Sequence, residues 1–273
     1  MHVFQSNKIK RIIDRARIRS RNAINVLKAL FSSEKYNGYC TICGDNTVFT
    51  KKGKNLRETF SCSICHSCSR NRFLAKVLLD HFNIKPPYAL GKLIEQKPDL
   101  KVYETASYGP IHNILKQLES YFCSEYFYDV PSGEYNKKGI RCENIEHLTF
   151  PDNSFDVVIT QDIFEHVRIY RKGFKEIHRV LKKGGIHIFS VPINPWKQTF
   201  QRIEVKEGKE IDLAPRAYHG DPTRGGLVYT DFGYDLPSIL EEYQFSTTQY
   251  TCTGFDGKYY GIYWICAFVS MKI

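Results

Sequence analysis

Two cysteine pairs, Cys40-Thr-Ile-Cys43 and Cys62-Ser-Ile-Cys65, stand 18 residues apart in a chain of 273. Each pair offers two thiolates a few residues apart, and paired C-x-x-C knuckles at such a separation read as a zinc site. Four sulfur ligands complete the closed tetrahedral shell of a structural zinc and leave no open position for catalysis. His66 and Cys68 lie beside the second pair as spare donors. A second group, Gln161, Asp162, Glu165 and His166, brings amide, carboxylate and imidazole side chains together directly after an apolar run. These are the types that bind ligands and move protons.

The elements around the second group explain its position. Phe155 to Thr160 is a short apolar, β-branched run ending abruptly at Gln161 and Asp162, as expected of a strand buried on both faces whose carboxyl end meets solvent. Ile163, Phe164, Val167, Phe174, Ile177, Val180 and Leu181 then recur at helical spacing, and Gly184-Gly185 is read as the stop. Ile186 to Val191 follows as a strand. Leu148 to Pro192 is therefore a βαβ unit, and such crossovers gather ligands at the carboxyl ends of their strands.

Around this unit the pattern is α/β. Strands are expected at Leu100 to Glu104, Tyr121 to Ser124 and, briefly, Arg141 to Asn144, with a helix over Pro110 to Tyr121. Near the end a helix is expected over Asp235 to Tyr243, then strands over Phe245 to Thr253 and Tyr259 to Val269. A short loop containing Gly254 would join those strands as an antiparallel edge hairpin. The expected organisation is a basic amphipathic helix over 1–35, a zinc-ribbon-like module and helix over 36–83, a junction over 84–99 and a catalytic domain over 100–273. Arg70 and Arg72, just after the last knuckle, are placed to meet a phosphate or carboxylate, or to stand as exposed helix charges.

Composition limits the function classes. The formal net charge is +10, and residues 1–35 concentrate it, with Arg11, Arg15, Arg17, Arg19 and Arg21 interleaved with apolar residues at helical spacing. Such a helix fits peripheral contact with anionic lipid, a nucleic-acid phosphate backbone, or, most simply, packing of its apolar stripe on the protein with a solvated basic face. No apolar run approaches the roughly 20 residues of a transmembrane helix. The basic N-terminus lacks a secretory signal pattern, so nine cysteines point to metal rather than disulfides, and a cytoplasmic location is expected.

Pro151-Asp152-x-Ser154-Phe155-Asp156, Glu165-His166-Val167, Arg179-Val180-Leu181-x-x-Gly184-Gly185 and Val191-Pro192 occur in order and at characteristic spacing. Together they resemble the second half of a class I S-adenosylmethionine-dependent methyltransferase. The resemblance implies a Rossmann-like, mostly parallel sheet with an antiparallel C-terminal hairpin, and S-adenosylmethionine held along the carboxyl ends of the first four strands. Glu104 stands at the family's first acid. The loop Glu104-Thr-Ala-Ser-Tyr-Gly109 carries Ala106 and Tyr108 at glycine positions and retains only Gly109, out of register. Glu125, 21 residues after Glu104, stands at the acid that accepts from the ribose hydroxyls. Asn144 and Ile145 align with the pair beside the adenine, and Gln161, Asp162 and His166 with the strand-end group facing cofactor or acceptor.

The long segment from Pro192 to Tyr229 contains Tyr218-His219-Gly220-Asp221-Pro222, a run shared with bacterial methyltransferase-like proteins, many associated with glycan biosynthesis. It implies a hydroxyl acceptor on a glycan or small molecule, with His219 as general base oriented by Asp221. The same residues also read as a turn. Two other classes fit the chain: an RNA methyltransferase using the zinc module and basic N-terminus, and a methyltransferase-like binding protein without catalysis.

Overall fold

A computed structural model of the protein describes residues 35–219 and 225–273. Apart from Lys35, the basic helix expected over residues 1–35 lies outside the described residues, as does Asp221. The described residues begin with a three-stranded antiparallel sheet of β1 (Lys35–Cys40), β2 (Asp45–Thr50) and β3 (Ser61–Cys62), followed by helix α1 (Ser69–His81). Short helix α2 (Gly91–Gln96) falls within the expected junction. Tyr88, Leu90 and Leu93 from that stretch are buried in the same core as the cysteine module.

The central sheet has six strands. β4 (Val102–Glu104), β5 (Tyr121–Cys123), β6 (Phe155–Gln161) and β7 (Leu181–Ser190) are parallel neighbours in the order β7-β6-β4-β5. Beyond β7, β16 (Cys266–Lys272) and then β15 (Phe245–Thr251) continue it antiparallel. The expected α/β sheet with a parallel core and antiparallel C-terminal strands is present. From Val157 on, beyond a register shift after Phe155, successive residues of β6 face opposite sides: Val157 and Ile159 enter one core with Leu74, Val77 and Leu78 of α1. Phe155 and Val158 enter the other with Phe174, Ile177 and Val180. Both faces are covered, which is why the strand reads as continuously apolar.

Four local expectations are corrected. The helix read from Ile163 to Leu181 is two pieces, a 3-10 turn at Phe164–His166 and helix α4 (Tyr170–Val180), the latter following α3 (Pro110–Leu115) in the chain. The break lets Phe164 stack on Phe174 with ring centroids 4.2 Å apart, and carries Glu165 inward to 1% exposure. The helix ends before the glycine pair, because Leu181 already pairs with Phe155; Gly184-Gly185 sits inside β7 at a register shift. The C-terminal strands are not joined by a simple loop. Thr253 and Asp256 form a capping box that starts helix α6 (Gly254–Tyr260), and Gly261 closes it in the left-handed region, after α5 (Leu236–Glu241). The expected third strand at Arg141–Asn144 is reduced to isolated bridges, one of them parallel between Glu125 and Cys142.

The segment after β7 folds back on the sheet's carboxyl edge in short ribbons. β8 (Ile193–Asn194) and β9 (Phe200–Gln201) flank β14 (Thr230–Gly233), and β10 (Ile203–Lys206) pairs with β11 (Lys209–Asp212). β12 (Ala217–His219) pairs with β13 (Gly226–Val228), setting His219 opposite Gly226.

Candidate active site

At the carboxyl ends of β4 and β6 a pocket of about 220 Å³ is lined by Glu104, Thr105, Ala106, Tyr108, Glu125, Ile159, Gln161, Asp162 and Ile163. Glu104 is buried; its carboxylate accepts from Tyr121 Oη at 2.7 Å and Gln161 Nε2 at 3.0 Å. Burial pushes the Glu104 carboxyl up to about 8 against those two hydrogen bonds, and the charge of Glu125 adds to the rise. Glu125 accepts from the Ser107 backbone N–H at 2.8 Å and hydroxyl at 3.0 Å, which fastens the first loop to the end of β5. A carboxylate has about four acceptor sites, so Glu125 keeps capacity for two hydroxyls of a ribose.

Because native Glu104 keeps its proton up to about pH 8 while the unfolded chain releases it near the ordinary 4.5, its contribution to stability is full below about 4.5 and is lost as pH rises through 8. Glu104→Gln is therefore expected to match the wild type in acid and to exceed it in alkali by on the order of 3 kcal/mol. Thermal melts at pH 5 and pH 8.5 check this, and a variant with no pH-dependent gain would contradict it.

The pocket is held from the far side by the cysteine module. Arg57 donates to Asp162 Oδ1 at 2.7 Å, and Arg70 Nε lies 3.2 Å from Asp162 Oδ2 while also pairing with Glu58. Burial works against the Asp162 charge, but Arg70 and Arg57 outweigh it and hold the carboxyl below its usual range. Gln161 accepts from Asn71 at 2.8 Å and from Arg70 at 3.3 Å, so its amide is oriented to donate to Glu104. The expected arginine contact with a carboxylate is thus made by Arg70. Arg72 instead is buried among carbonyls. Sequence reading missed Arg57, Asn71 and Tyr121, whose roles depend on contacts distant in the chain.

On the other side of the Gln161–Glu165 segment, a pocket of about 550 Å³ is lined by Glu165, Pro192, Asn194, Arg202, His219 and residues of β14. Both Glu165 carboxylate oxygens are buried without a hydrogen-bond partner among the described residues. His219 Nδ1 lies 3.6 Å from Glu165 Oε1 and His166 Nε2 lies 3.8 Å from it. The neighbouring Glu165 carboxylate holds His219 above the ordinary imidazole range. Of the expected cofactor residues, the first pocket gathers Glu104, Ala106, Glu125, Gln161 and Asp162, and its lining does not include Gly109, Asn144, Ile145 or His166. Asn144 Oδ1 accepts from the Glu146 N–H at 2.9 Å, and Gly109 opens α3 at φ 107°.

Cys40, Cys43, Cys62 and Cys65 bring their sulfurs within 4.8 Å of one another, with Cys40–Cys65 at 3.6 Å and Cys43–Cys62 at 3.8 Å. Sulfurs at the zinc bond length in a tetrahedron lie about 3.8 Å apart, whereas a disulfide needs about 2.05 Å. The donor set fits a tetrathiolate metal. Thr47 and Ser67 hydroxyls and the Ile64 N–H approach these sulfurs at 3.2 to 3.5 Å as a surrounding hydrogen-bond shell. His66 and Cys68 lie outside the four-sulfur group.

Residues 115–189, from the end of α3 into β7, match the model of a methyltransferase domain family. The chain carries a methyltransferase domain. The match includes Glu125 and the whole Gln161–His166 segment and begins after the Glu104–Gly109 loop. An uncharacterised protein of Methanocaldococcus jannaschii is 30% identical over 154 residues, 56% of this chain and 66% of that protein. A Mycolicibacterium smegmatis protein named a probable S-adenosylmethionine-dependent methyltransferase is 32% identical over 81 residues, 30% of this chain and 28% of its own. The chain thus spans less than two thirds of the length of the curated relatives it matches. A solved S-adenosylmethionine-dependent methyltransferase from Clostridium acetobutylicum superposes on 74% of this chain and 98% of its own at TM-score 0.39 and 14% identity. The first pocket presents the carboxyl groups of Glu104, Glu125 and Asp162 at the strand ends of that domain.

Proposed function

We propose that this chain is an S-adenosylmethionine-dependent methyltransferase that modifies a hydroxyl of a glycan or small molecule, with a structural zinc in the four-cysteine module. The observation that carries the reading is the acid-lined pocket at the strand ends of the methyltransferase domain. Bound S-adenosylmethionine would supply an already activated methyl group, so the protein's task is alignment and desolvation. Glu125 is assigned to the ribose hydroxyls. Glu104, which keeps its proton up to about pH 8, is assigned hydrogen bonds to the cofactor's polar groups, and Ile159 and Ile163 supply apolar contact. The larger pocket beside Glu165 and His219 is assigned to the acceptor, whose hydroxyl proton must be removed during transfer.

Calorimetric titration with S-adenosylmethionine tests the reading. Micromolar binding by the wild type is expected, weakened about 10- to 100-fold in Glu125→Ala, the loss of charged hydrogen bonds to one partner. A wild-type protein that fails to bind at millimolar cofactor would be a non-catalytic relative, and the enzyme reading would fall. Transfer of labelled methyl from the cofactor to sugar hydroxyls, compared with transfer to RNA, then separates the acceptor classes.

A further inference from the structure

Three side chains converge beside the larger pocket with no hydrogen-bonding group between them. Glu165 is 1% exposed and neither carboxylate oxygen has a partner among the described residues. Leaving a buried carboxylate bare is strongly unfavourable. His166 cannot relieve it through Nδ1, which lies 2.9 Å from the Leu227 carbonyl; that oxygen only accepts, so Nδ1 carries a proton and, in the neutral ring, Nε2 presents a lone pair toward Glu165. His219 offers a further nitrogen 3.6 Å from Glu165 Oε1. The ligand atoms of all three lie within 4.8 Å of one another. Lone pairs and a carboxylate facing one point repel unless a cation, either a proton on His219 or a metal ion, sits there.

We infer that Glu165, His166 and His219 bind a divalent transition ion of the zinc or manganese class. Two imidazoles and one carboxylate suit such ions, and three protein ligands leave coordination positions open. Atoms sharing an ion at about 2.1 Å stand roughly 3 to 3.5 Å apart, so a small rotation of half-exposed His219 closes the site. A carbonyl fixing the second ring nitrogen of His166 is the usual orienting contact of a metal-bound histidine. The fold provides for that contact: Tyr229 N–H donates to the Glu165 carbonyl at 2.8 Å, seating β13 against the 3-10 turn. At Gly226 any Cβ would stand 2.7 Å from the His166 ring, so the strand approaches this closely only with glycine there. Asp162 is not a ligand, since Arg57 and Arg70 occupy its carboxylate.

The chemical role rests on the methyltransferase reading. An acceptor hydroxyl bound at an open position loses its proton to solvent at lower pH than in water. As the oxygen–methyl bond forms, the sulfur–methyl bond breaks and its electron pair stays on sulfur; no oxidant or reductant is needed. His219 then acts as a ligand, not as the general base expected from its sequence neighbours.

The test is a manganese titration of the full chain, followed by loss of the free-ion paramagnetic resonance signal. Thiolates are poor ligands for manganese, so the cysteine site does not compete. The wild type is expected to take up a single ion, and Glu165→Gln, His166→Ala and His219→Ala to weaken uptake at least about tenfold. His219 is half exposed, so His219→Ala should fold normally, as circular dichroism would verify. No uptake by the wild type at millimolar manganese, or unchanged uptake by a folded His219→Ala, overturns the site. Parallel calorimetry with S-adenosylmethionine keeps the two ideas apart: cofactor binding without manganese uptake sinks the metal site alone. Manganese uptake lost in the variants, without cofactor binding, supports the site and sinks the methyltransferase reading.

Discussion

Cys40→Ser and Cys62→Ser are each expected to lose the cysteine-bound metal and, with it, the folded packing of α1 against the sheet. Both cysteines are fully buried, in the same core as Phe49, Phe60, Val77, Leu78 and the sheet residues Ile186 and Ile188. Structural zinc contributes about 10 to 16 kcal/mol in small modules, as much as the whole stability of an ordinary domain at about 5 to 15 kcal/mol. A serine hydroxyl does not replace a thiolate at that ion. Release of the module would also free Gln161 and Asp162 from Asn71, Arg57 and Arg70, so cofactor binding should fall along with stability. Metal analysis per chain and a circular dichroism melt measure the two effects. Undiminished metal stoichiometry and an unchanged melting temperature would refute the four-cysteine site.

Arg72→Met is the second large effect. The guanidinium is fully buried and donates to the carbonyls of Tyr260 at 2.7 Å, Phe60 at 2.7 Å and Gly261 at 2.8 Å, and to that of Ser67. Its plane lies 4.2 Å from the Phe49 ring centroid. Burial lowers its proton affinity, while the neighbouring Cys40 and Tyr36 oppose that. Four thiolates on a divalent ion carry a net double negative charge. Ser67 relays between that group and Arg72, with its hydroxyl 3.2 Å from both Arg72 Nη1 and Cys65 Sγ. Removing the cation strands four carbonyls and leaves that charge without its buried partner. A loss of about 3 to 5 kcal/mol is expected, lowering the melting temperature by on the order of 10 °C in a chain of this size. Arg72→Lys should not rescue it, because one ammonium cannot reach carbonyls fanned around a planar fork. A melting temperature within about 2 °C of the wild type would contradict this account.

Periodicity and spacing made much of the molecule legible. The parallel strands at Val102–Glu104 and Phe155–Gln161, the polar strand end and the four cysteines were all readable, because each depends on neighbours within a few residues or on ligand chemistry. Elsewhere tertiary packing outweighs the local signal. Thr253, Asp256 and Gly261 carry helix start and stop signals, but the aromatic run after them suggested one long strand. Ile163 to Val167 has helical spacing, yet burial of Phe164 on Phe174 favours a 3-10 turn and a break.

For the candidate site, sequence named the residues and tertiary structure chose their partners. His219 was matched with Asp221, its neighbour in the chain, whereas the fold sets it against Glu165 from another element. Arg70 and Arg72 looked equivalent; helix geometry turns one toward Asp162 and the other into the core, two positions apart on a 3.6-residue turn. By itself the sequence determined the fold class, the four cysteines that converge and the polar ends of the parallel strands, since these follow from patterns of polarity and donor type. Only the tertiary structure decided which charges meet across that edge. Pairing there depends on contacts between residues up to 105 positions apart, as in Arg57 and Asp162, and no local periodicity encodes them.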